Sequence, residues 1–184
     1  MDDDAHNISF KQPSHITFPA RLYLITTNTL KRRIMTNEIR QIVIDEIIKY
    51  DKSLYDLYAA VVMPDHIHIL VFPLIQKNGE YVSISKIMNQ IKGVSSRRTK
   101  IECNYDGTLW QRGYFDQLVH GVKGRAECWD YIVNNPVRAG LVRKWEDYPF
   151  VWCKGMKKIR AVNGALPLSG DISFASTECT ETGD

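Results

Sequence analysis

The sequence VVMPDHIHILVF, residues 61–72, decides how the rest of the chain is interpreted. Side chains two residues apart on a strand point to the same face, so His66 and His68 would lie together while Ile67 enters the opposite, apolar layer. Pro64 is disfavoured inside a central ladder and marks the turn before this strand. Two imidazoles on one face could hold a divalent metal ion if a third ligand comes from elsewhere. A histidine pair that only makes hydrogen bonds at a surface is the simpler alternative.

The surrounding segments predict strands that alternate with amphipathic helices. Strands are predicted over residues 16–27 with an interruption near Pro19, 54–63, 66–72 and 114–119, and helices from about 36 to 50, from Ser83 or Ser85 to about 100, and from about 124 to 134, followed by a helical turn over 137–142. This order, β-α-β-β-α-β-α, predicts an α+β fold of the ferredoxin-like or split β-α-β type. We expect an antiparallel sheet with its helices on one face and the His-x-His pair on a central strand.

The length of 184 residues suits one domain, predicted over residues 15–155. Residues 1–14 are expected to be flexible, and residues 156–184, basic and then polar, to form a disordered tail. No apolar run approaches the roughly 18 residues of a membrane-spanning helix, and the acidic start does not resemble a signal peptide, so we expect a cytoplasmic protein. The cysteines are widely spaced and are expected to be free thiols rather than zinc ligands or disulfides: Cys103, Cys128, Cys153 and Cys179.

The net charge of +3 conceals an uneven distribution. Seven of the 21 acidic residues lie in residues 1–4 and 162–184, and neither segment contains a Lys or Arg. The middle of the chain is therefore strongly basic, which suits a polyanionic partner such as nucleic acid. An ordinary solvated surface is the alternative.

Tyr131 and Asn135 lie four residues apart and would share one face of the last long helix. A phenol is a poor nucleophile at neutral pH unless its partner is activated, for example by a metal ion on a phosphate. Periodicity alone favours structural roles for both residues: Tyr131 as a core aromatic, and Asn135 as the cap of a helix that starts at Pro136. Asn134 is a rival to Asn135 as a metal ligand.

Several motifs, taken together and in order, resemble the single-tyrosine HUH transposases, and most closely the REP-associated tyrosine transposases. They extend over about residues 15–153 and comprise residues 63–70 (MPDHIHIL), 85–88 (SKIM), 91–93 (IKG), 109–112 (LWQR), 114–116 (YFD) and 131–142 (YIVNNPVRAGLV). The resemblance implies a single-stranded DNA endonuclease and strand transferase that cleaves hairpin or palindromic DNA through a 5′-phosphotyrosine.

The resemblance also implies a role for individual residues. His66 and His68 would bind Mg²⁺ or Mn²⁺, Tyr131 would be the nucleophile, and Asn135 would stand where relatives usually have a glutamine as third ligand. Asp65 stands where asparagine is common.

Basic and aromatic residues near these motifs are candidates for contact with DNA, through phosphates or stacking on unpaired bases. They are Lys86, Lys92, Arg97, Arg98, Trp110, Arg112, Tyr114, Arg125 and Arg138. Solvated cations and core aromatics are the alternatives for each. At the level of the whole protein, the alternative is a domesticated, non-cleaving DNA-binding protein with the same fold. A monomer is weakly favoured over a homodimer.

Overall fold

The computed structural model describes residues 17–155. The predicted flexible segment 1–14 and the predicted tail 156–184 lie outside these residues, so the domain boundaries stay predictions. Between residues 17 and 155, no helix is long and apolar enough to cross a membrane. The cytoplasmic location also stays a prediction.

The chain folds in the predicted order of strands and helices, with additions near its end. The elements are β1 (Leu22–Asn28), a 3-10 turn (Leu30–Arg32), α1 (Asn37–Lys49), β2 (Tyr55–Val62), β3 (His66–Pro73), α2 (Ile84–Glu102), β4 (Phe115–Val119), α3 (Gly121–Val133), α4 (Asn135–Arg138), a second 3-10 turn (Trp145–Asp147) and β5 (Val151–Cys153). Strand β5, which pairs with β2, is not predicted by the sequence pattern.

The five strands form one sheet in the order β4-β1-β3-β2-β5, and every neighbouring pair is antiparallel. Strands β1 and β2 run parallel to each other with β3 inserted between them, which is the arrangement of a split β-α-β unit. The predicted α+β class and antiparallel sheet are confirmed. Strand β3, which carries His66 and His68, is the middle strand of five.

Helices cover both faces of the sheet. Tyr55, on the same face as Ile67, donates its hydroxyl to the carbonyl of Ile47 in α1 at 2.6 Å, and α2 packs beside α1. On the other face, Tyr131 of α3 contacts His68. In this respect the structure corrects the expectation of helices on one face. Right-handed crossovers place α1 and α2 on the same side, whereas α3 follows the edge strand β4 and folds over the opposite side.

Helices α1 and α2 begin where their capping residues predict. The Thr36 hydroxyl accepts a hydrogen bond from the Ile39 amide, and the Ser83 hydroxyl accepts one from the Lys86 amide. Ser83, rather than Ser85, is thus the cap of α2. The apolar stripes of both helices are buried against the sheet, and their residues include Ile39, Val43, Ile47, Ile84, Ile87, Met88 and Ile91.

The turn between β2 and β3 is held by the loop that follows β1. The Thr29 amide and hydroxyl both donate to the Asp65 carbonyl, at 2.9 and 3.1 Å. The Met35 amide donates to the Pro64 carbonyl at 2.7 Å. These bonds fix the backbone immediately before His66, so the start of β3 cannot move independently of the rest of the sheet.

Candidate active site

The two histidines of β3 lie next to each other on the face covered by α3. Their ring centroids are 4.9 Å apart and their planes are 80° from parallel. His68 is only 6% exposed, and its burial, reinforced by the charges of His66 and Arg32, lowers its pKa to about 3. The imidazole of His68 is therefore neutral at physiological pH and keeps a lone pair for a metal ion.

The Nδ1 nitrogen of each imidazole lies within hydrogen-bond distance of a neighbouring side chain. The Nδ1 atom of His68 lies 2.7 Å from the Thr26 hydroxyl, and Nδ1 of His66 lies 2.6 Å from Oδ1 of Asp65. An ionised carboxylate only accepts hydrogen bonds, so His66 carries a proton on Nδ1, and its Nε2 atom lies on the side away from Asp65. The hydroxyl of Thr26 can accept from His68 in the same way. Such outer contacts orient metal-binding imidazoles.

Asp65 belongs to a charged network at the edge of the site. The Arg32 guanidinium donates to Oδ2 of Asp65 at 3.2 Å while His66 occupies Oδ1. Burial raises the pKa of Asp65, but the hydrogen bond from His66 and the charges of His66 and Arg32 outweigh that effect and hold the pKa below its ordinary value. The backbone of Arg32 has a positive φ of 55°, a strained conformation for a residue other than glycine.

Tyr131 stands beside the histidine pair although it is far away in the chain. Its ring centroid is 5.2 Å from that of His68, with 72° between the planes. The side chain is 40% exposed, so Tyr131 is not a core aromatic. The guanidinium carbon of Arg138 lies 5.2 Å from the Tyr131 ring centroid, and Arg138 also bonds Asp130 at 3.0 Å. A phenol, two imidazoles and a guanidinium thus meet at one partly open surface.

Comparison with known proteins identifies the family. The family described as transposase, IS200 like, matches residues 19–135, more than half of the chain, and the match includes both histidines and Tyr131. The chain belongs to the IS200-like transposase family. Membership of this family supports a DNA-processing enzyme.

Individual relatives agree with the family assignment. A Haemophilus influenzae protein provisionally named a REP-associated tyrosine transposase is 28% identical over 106 residues, which cover 52% of this chain and 57% of the relative. The matching part therefore spans little more than half the length of that relative. The resemblance to this group of transposases is confirmed.

One solved structure shares the fold, and a second gives a weaker match. The structure of a REP-associated tyrosine transposase bound to a REP hairpin superposes with a TM-score of 0.60 at 20% identity, over 84% of this chain and 98% of that one. A crystal structure of a protein provisionally named a transposase, from Deinococcus radiodurans, gives a TM-score of 0.41 at 22% identity, over 67% of this chain and 96% of that one.

The third metal ligand predicted for this IS200-like transposase lies at the junction of α3 and α4. Asn135 is the first residue of α4, and its side chain makes no hydrogen bond with any residue of the described range. Asn134, the rival, donates its side-chain amide to Asp130 at 2.7 Å. Asn135 is not a side-chain cap, because the cap position of α4 is Asn134 and no side-chain bond is formed there. These contacts leave the Asn135 amide without a partner in the described range and hold the Asn134 side chain through its Nδ2 atom.

The donor set of the site fits a divalent ion. Two imidazoles whose Nδ1 atoms are held by Thr26 and Asp65 can direct Nε2 to a metal. Over residues 17–155 there is no cluster of three His, Cys, Asp or Glu side chains able to hold a metal. A third ligand must therefore be of another kind, such as an amide oxygen or water.

The candidate DNA contacts fall into two groups, of which one is structural. Trp110 is 4% exposed and donates from Nε1 to the Ser95 hydroxyl at 3.0 Å, so its burial contradicts the prediction that it stacks on a base. Lys92 donates from Nζ to two backbone carbonyls of the loop before β4, and burial lowers its pKa. Arg98 is held in ion pairs with Glu46 and Glu102.

The other candidates remain accessible to a ligand. Tyr114 is half-buried, with its hydroxyl 2.9 Å from that of Ser85, and the Lys86 ammonium donates to the Gln76 side chain at 2.8 Å. The exposed cations of the prediction are Lys86, Arg97, Arg112, Arg125 and Arg138. Among these, Arg138 is the one in contact with Tyr131.

Two residues of the site escaped the sequence analysis. Thr26 reaches His68 because β1 pairs with β3 in a register that places the two residues opposite each other. A correct strand pairing would have revealed it, but the register could not be read from either strand alone. Arg32 carried no signal, since its approach to Asp65 depends on the strained backbone of the turn after β1.

Proposed function

We propose that this transposase is a metal-dependent single-stranded DNA endonuclease and strand transferase that cleaves hairpin or palindromic DNA. Tyr131 is the nucleophile in this proposal, and His66, His68 and Asn135 hold Mg²⁺ or Mn²⁺. The observation that supports it most strongly is the contact of Tyr131 with His68, at 5.2 Å between ring centroids. This contact brings the phenol and the imidazoles, the two kinds of reactive group that the proposal needs, to one surface.

The chemistry follows from these side chains. A bound divalent ion would neutralise charge on the scissile phosphate and make phosphorus a better electrophile. The Tyr131 oxygen attacks phosphorus in line with the leaving 3′ oxygen and gives up its proton to solvent. The bond from phosphorus to the 3′ oxygen breaks, and that oxygen takes up a proton. The product is a 5′-phosphotyrosine and a free 3′-hydroxyl.

Rejoining is the same reaction in reverse. A 3′-hydroxyl from another strand attacks the phosphotyrosine, restores a phosphodiester and releases Tyr131. The covalent link retains the energy of the original phosphodiester, so strand transfer needs no nucleotide cofactor. Arg138, above the Tyr131 ring, is suited to neutralise the phosphate that Tyr131 attacks.

The decisive experiment compares the chain with its Tyr131→Phe variant on a single-stranded hairpin oligonucleotide with Mn²⁺. We expect a covalent protein-DNA species on a denaturing gel for the unchanged chain and none for the variant. DNA affinity should stay within about threefold, since only one hydroxyl is removed and phosphate contacts dominate binding. An adduct of equal yield in Tyr131→Phe would end the assignment of the nucleophile.

The same gel separates the competing functions. A domesticated DNA-binding protein would bind the hairpin without forming an adduct in either variant. A hydrolase that uses only the two histidines would cleave the DNA equally well in both variants, without a covalent species.

A further inference from the structure

A groove runs beside α3 on the same face of the sheet as Tyr131 and His68. It consists of two adjoining hollows of about 290 and 360 Å³ that share Tyr58 and Arg125 in their walls. We call it the α3 groove, and its principal residues are Arg21, Tyr58, Phe72, Arg125, Trp129 and Lys154. None of these residues is needed by the reaction described above.

The charge of the α3 groove has one sign. Arg21, Arg125 and Lys154 line it, and among its described lining residues there is no Asp or Glu. None of the three forms an ion pair within residues 17–155, in contrast to Arg98 and Arg138. Surface cations left without an acid and gathered around one hollow suit a polyanion.

Aromatic rings lie between these cations. The Lys154 ammonium is 4.6 Å from the Tyr58 ring centroid, and the Arg125 guanidinium carbon is 6.0 Å from it. Tyr58, Phe72 and Trp129 are all partly exposed. Cations interleaved with aromatic faces are the surface on which single-stranded nucleic acids bind, with phosphates on the cations and bases on the rings.

The α3 groove also lies at a suitable distance from the candidate nucleophile. Arg125 precedes Tyr131 by six residues of α3, which is about 9 Å along a helix axis. At a stacked spacing of about 3.4 Å per nucleotide, that length corresponds to roughly three nucleotides. Six residues also turn the two side chains about 120° apart around the helix, so a strand whose phosphate lies at Tyr131 passes around α3 and reaches the groove after about three nucleotides or more.

We propose that the α3 groove is a binding site for unpaired nucleotides of the strand that carries the scissile phosphate. Arg21, Arg125 and Lys154 contact its phosphates, and Tyr58 stacks on a base. The inference rests on the proposed function in one respect: the DNA strand in the groove is the same strand that Tyr131 attacks. Duplex DNA is excluded from the stacking contact because its bases are already stacked and paired.

The test measures binding of a fluorescein-labelled, mixed-sequence single-stranded 20-mer by anisotropy, with the Tyr131→Phe chain so that no covalent product forms. The groove variant adds Arg125→Gln and Lys154→Gln. The matched control adds Lys100→Gln and Lys123→Gln, which remove the same charge from exposed positions outside the groove. All proteins are first compared by thermal unfolding.

We expect the groove variant to bind the single strand about tenfold or more weakly. The slope of its salt dependence should fall by about 1.4, near 0.7 for each phosphate that the variant no longer neutralises. The control should change affinity by less than about twofold. Equal losses of affinity in the groove variant and the control would overturn the proposal. The proposal would also be overturned if the groove variant lost as much affinity for a blunt duplex as for the single strand. It would likewise be overturned if polyglutamate competed for binding as strongly as DNA of the same charge.

A second measurement keeps the proposal testable if the groove variant does not fold. The Tyr131→Phe chain is irradiated with a single strand that contains 5-iodouracil, and the cross-linked peptides are mapped by mass spectrometry. Cross-links at Tyr58, Phe72 or Trp129 support the groove, and their absence from all three overturns it. Neither measurement depends on cleavage. If the unchanged chain forms no covalent adduct but the groove variant still loses affinity for the single strand, the proposed chemistry is refuted while the proposed binding site is supported.

Discussion

At the scale of single residues, the two imidazoles have different partners on their outer nitrogens. Asp65 carries a charge and forces the His66 proton onto Nδ1, whereas Thr26 is neutral and can accept from or donate to His68. The proposed metal would select the form in which Thr26 accepts. The hydroxyl of Thr26 therefore matters to the metal more than to the fold.

This difference predicts the effect of Thr26→Val. The variant keeps the shape of the side chain but removes the partner of His68 Nδ1, so we expect Mn²⁺ affinity to fall about 10- to 100-fold. Thr27→Val is the matched control, because the Thr27 hydroxyl donates to the Gly113 carbonyl on the other face of the strand. Both variants should lose stability, by about 1 kcal/mol for one hydrogen bond. Isothermal titration with Mn²⁺ and urea unfolding check the two effects, and equal affinity in both variants would show that Thr26 does not orient the ligand.

At the scale of elements, the junction between α3 and α4 carries the two candidates for the proposed third ligand. Helix α3 ends at Val133 and α4 begins at Asn135, with Asn134 between them. The bond from Asn134 to Asp130 turns the Asn134 side chain back along α3 and leaves Asn135 without a partner in the described range.

The junction therefore predicts different results for two neighbouring alanine variants. Asn135→Ala should weaken Mn²⁺ binding about tenfold, because an oriented metal ligand is removed. Asn134→Ala should leave Mn²⁺ affinity unchanged, because it removes only an exposed bond to Asp130 that stabilises by about 1 kcal/mol or less. Titration of both proteins with Mn²⁺ distinguishes them. The reverse pattern would make Asn134 the ligand, and unchanged affinity in both would point to water.

The elements also show what local sequence can and cannot predict. Helices α1 and α2 were predictable because each has a capping residue and an apolar stripe, and the β2–β3 hairpin because Pro64 and Asp65 separate two apolar runs. The start of α3 was predicted three residues late, since Gly121 and Gly124 weaken the helical signal. Strand β5 has three residues, too few for a pattern, and exists because it pairs with β2.

At the scale of the whole molecule, the candidate site depends on contacts between distant parts of the chain. The histidine pair could be recognised from the alternation of a strand, but its meeting with Tyr131 could not, because spacing in sequence does not predict how α3 crosses the sheet. Family resemblance supplied that step. Trp110 is buried and therefore cannot stack on a base. The sequence left this question open because aromatic residues occur in cores and at binding surfaces equally well.

Because β1, β3 and α3 supply the site together, a metal ion should bind the folded chain and not the unfolded one. At about 100 times its dissociation constant, Mn²⁺ should then stabilise the fold by about 2.7 kcal/mol. For a chain of this size, that raises the Tm by roughly 5 to 10 °C. The His66→Gln, His68→Gln double variant should show no rise, and EDTA should reverse the rise in the unchanged chain. Tyr131→Phe should keep the full shift, since the phenol is placed beside the ion as a nucleophile and not as a ligand. Differential scanning calorimetry with and without Mn²⁺ measures all three proteins, and a shift that disappears in Tyr131→Phe would make the phenol a ligand and remove it from the role of attacking group.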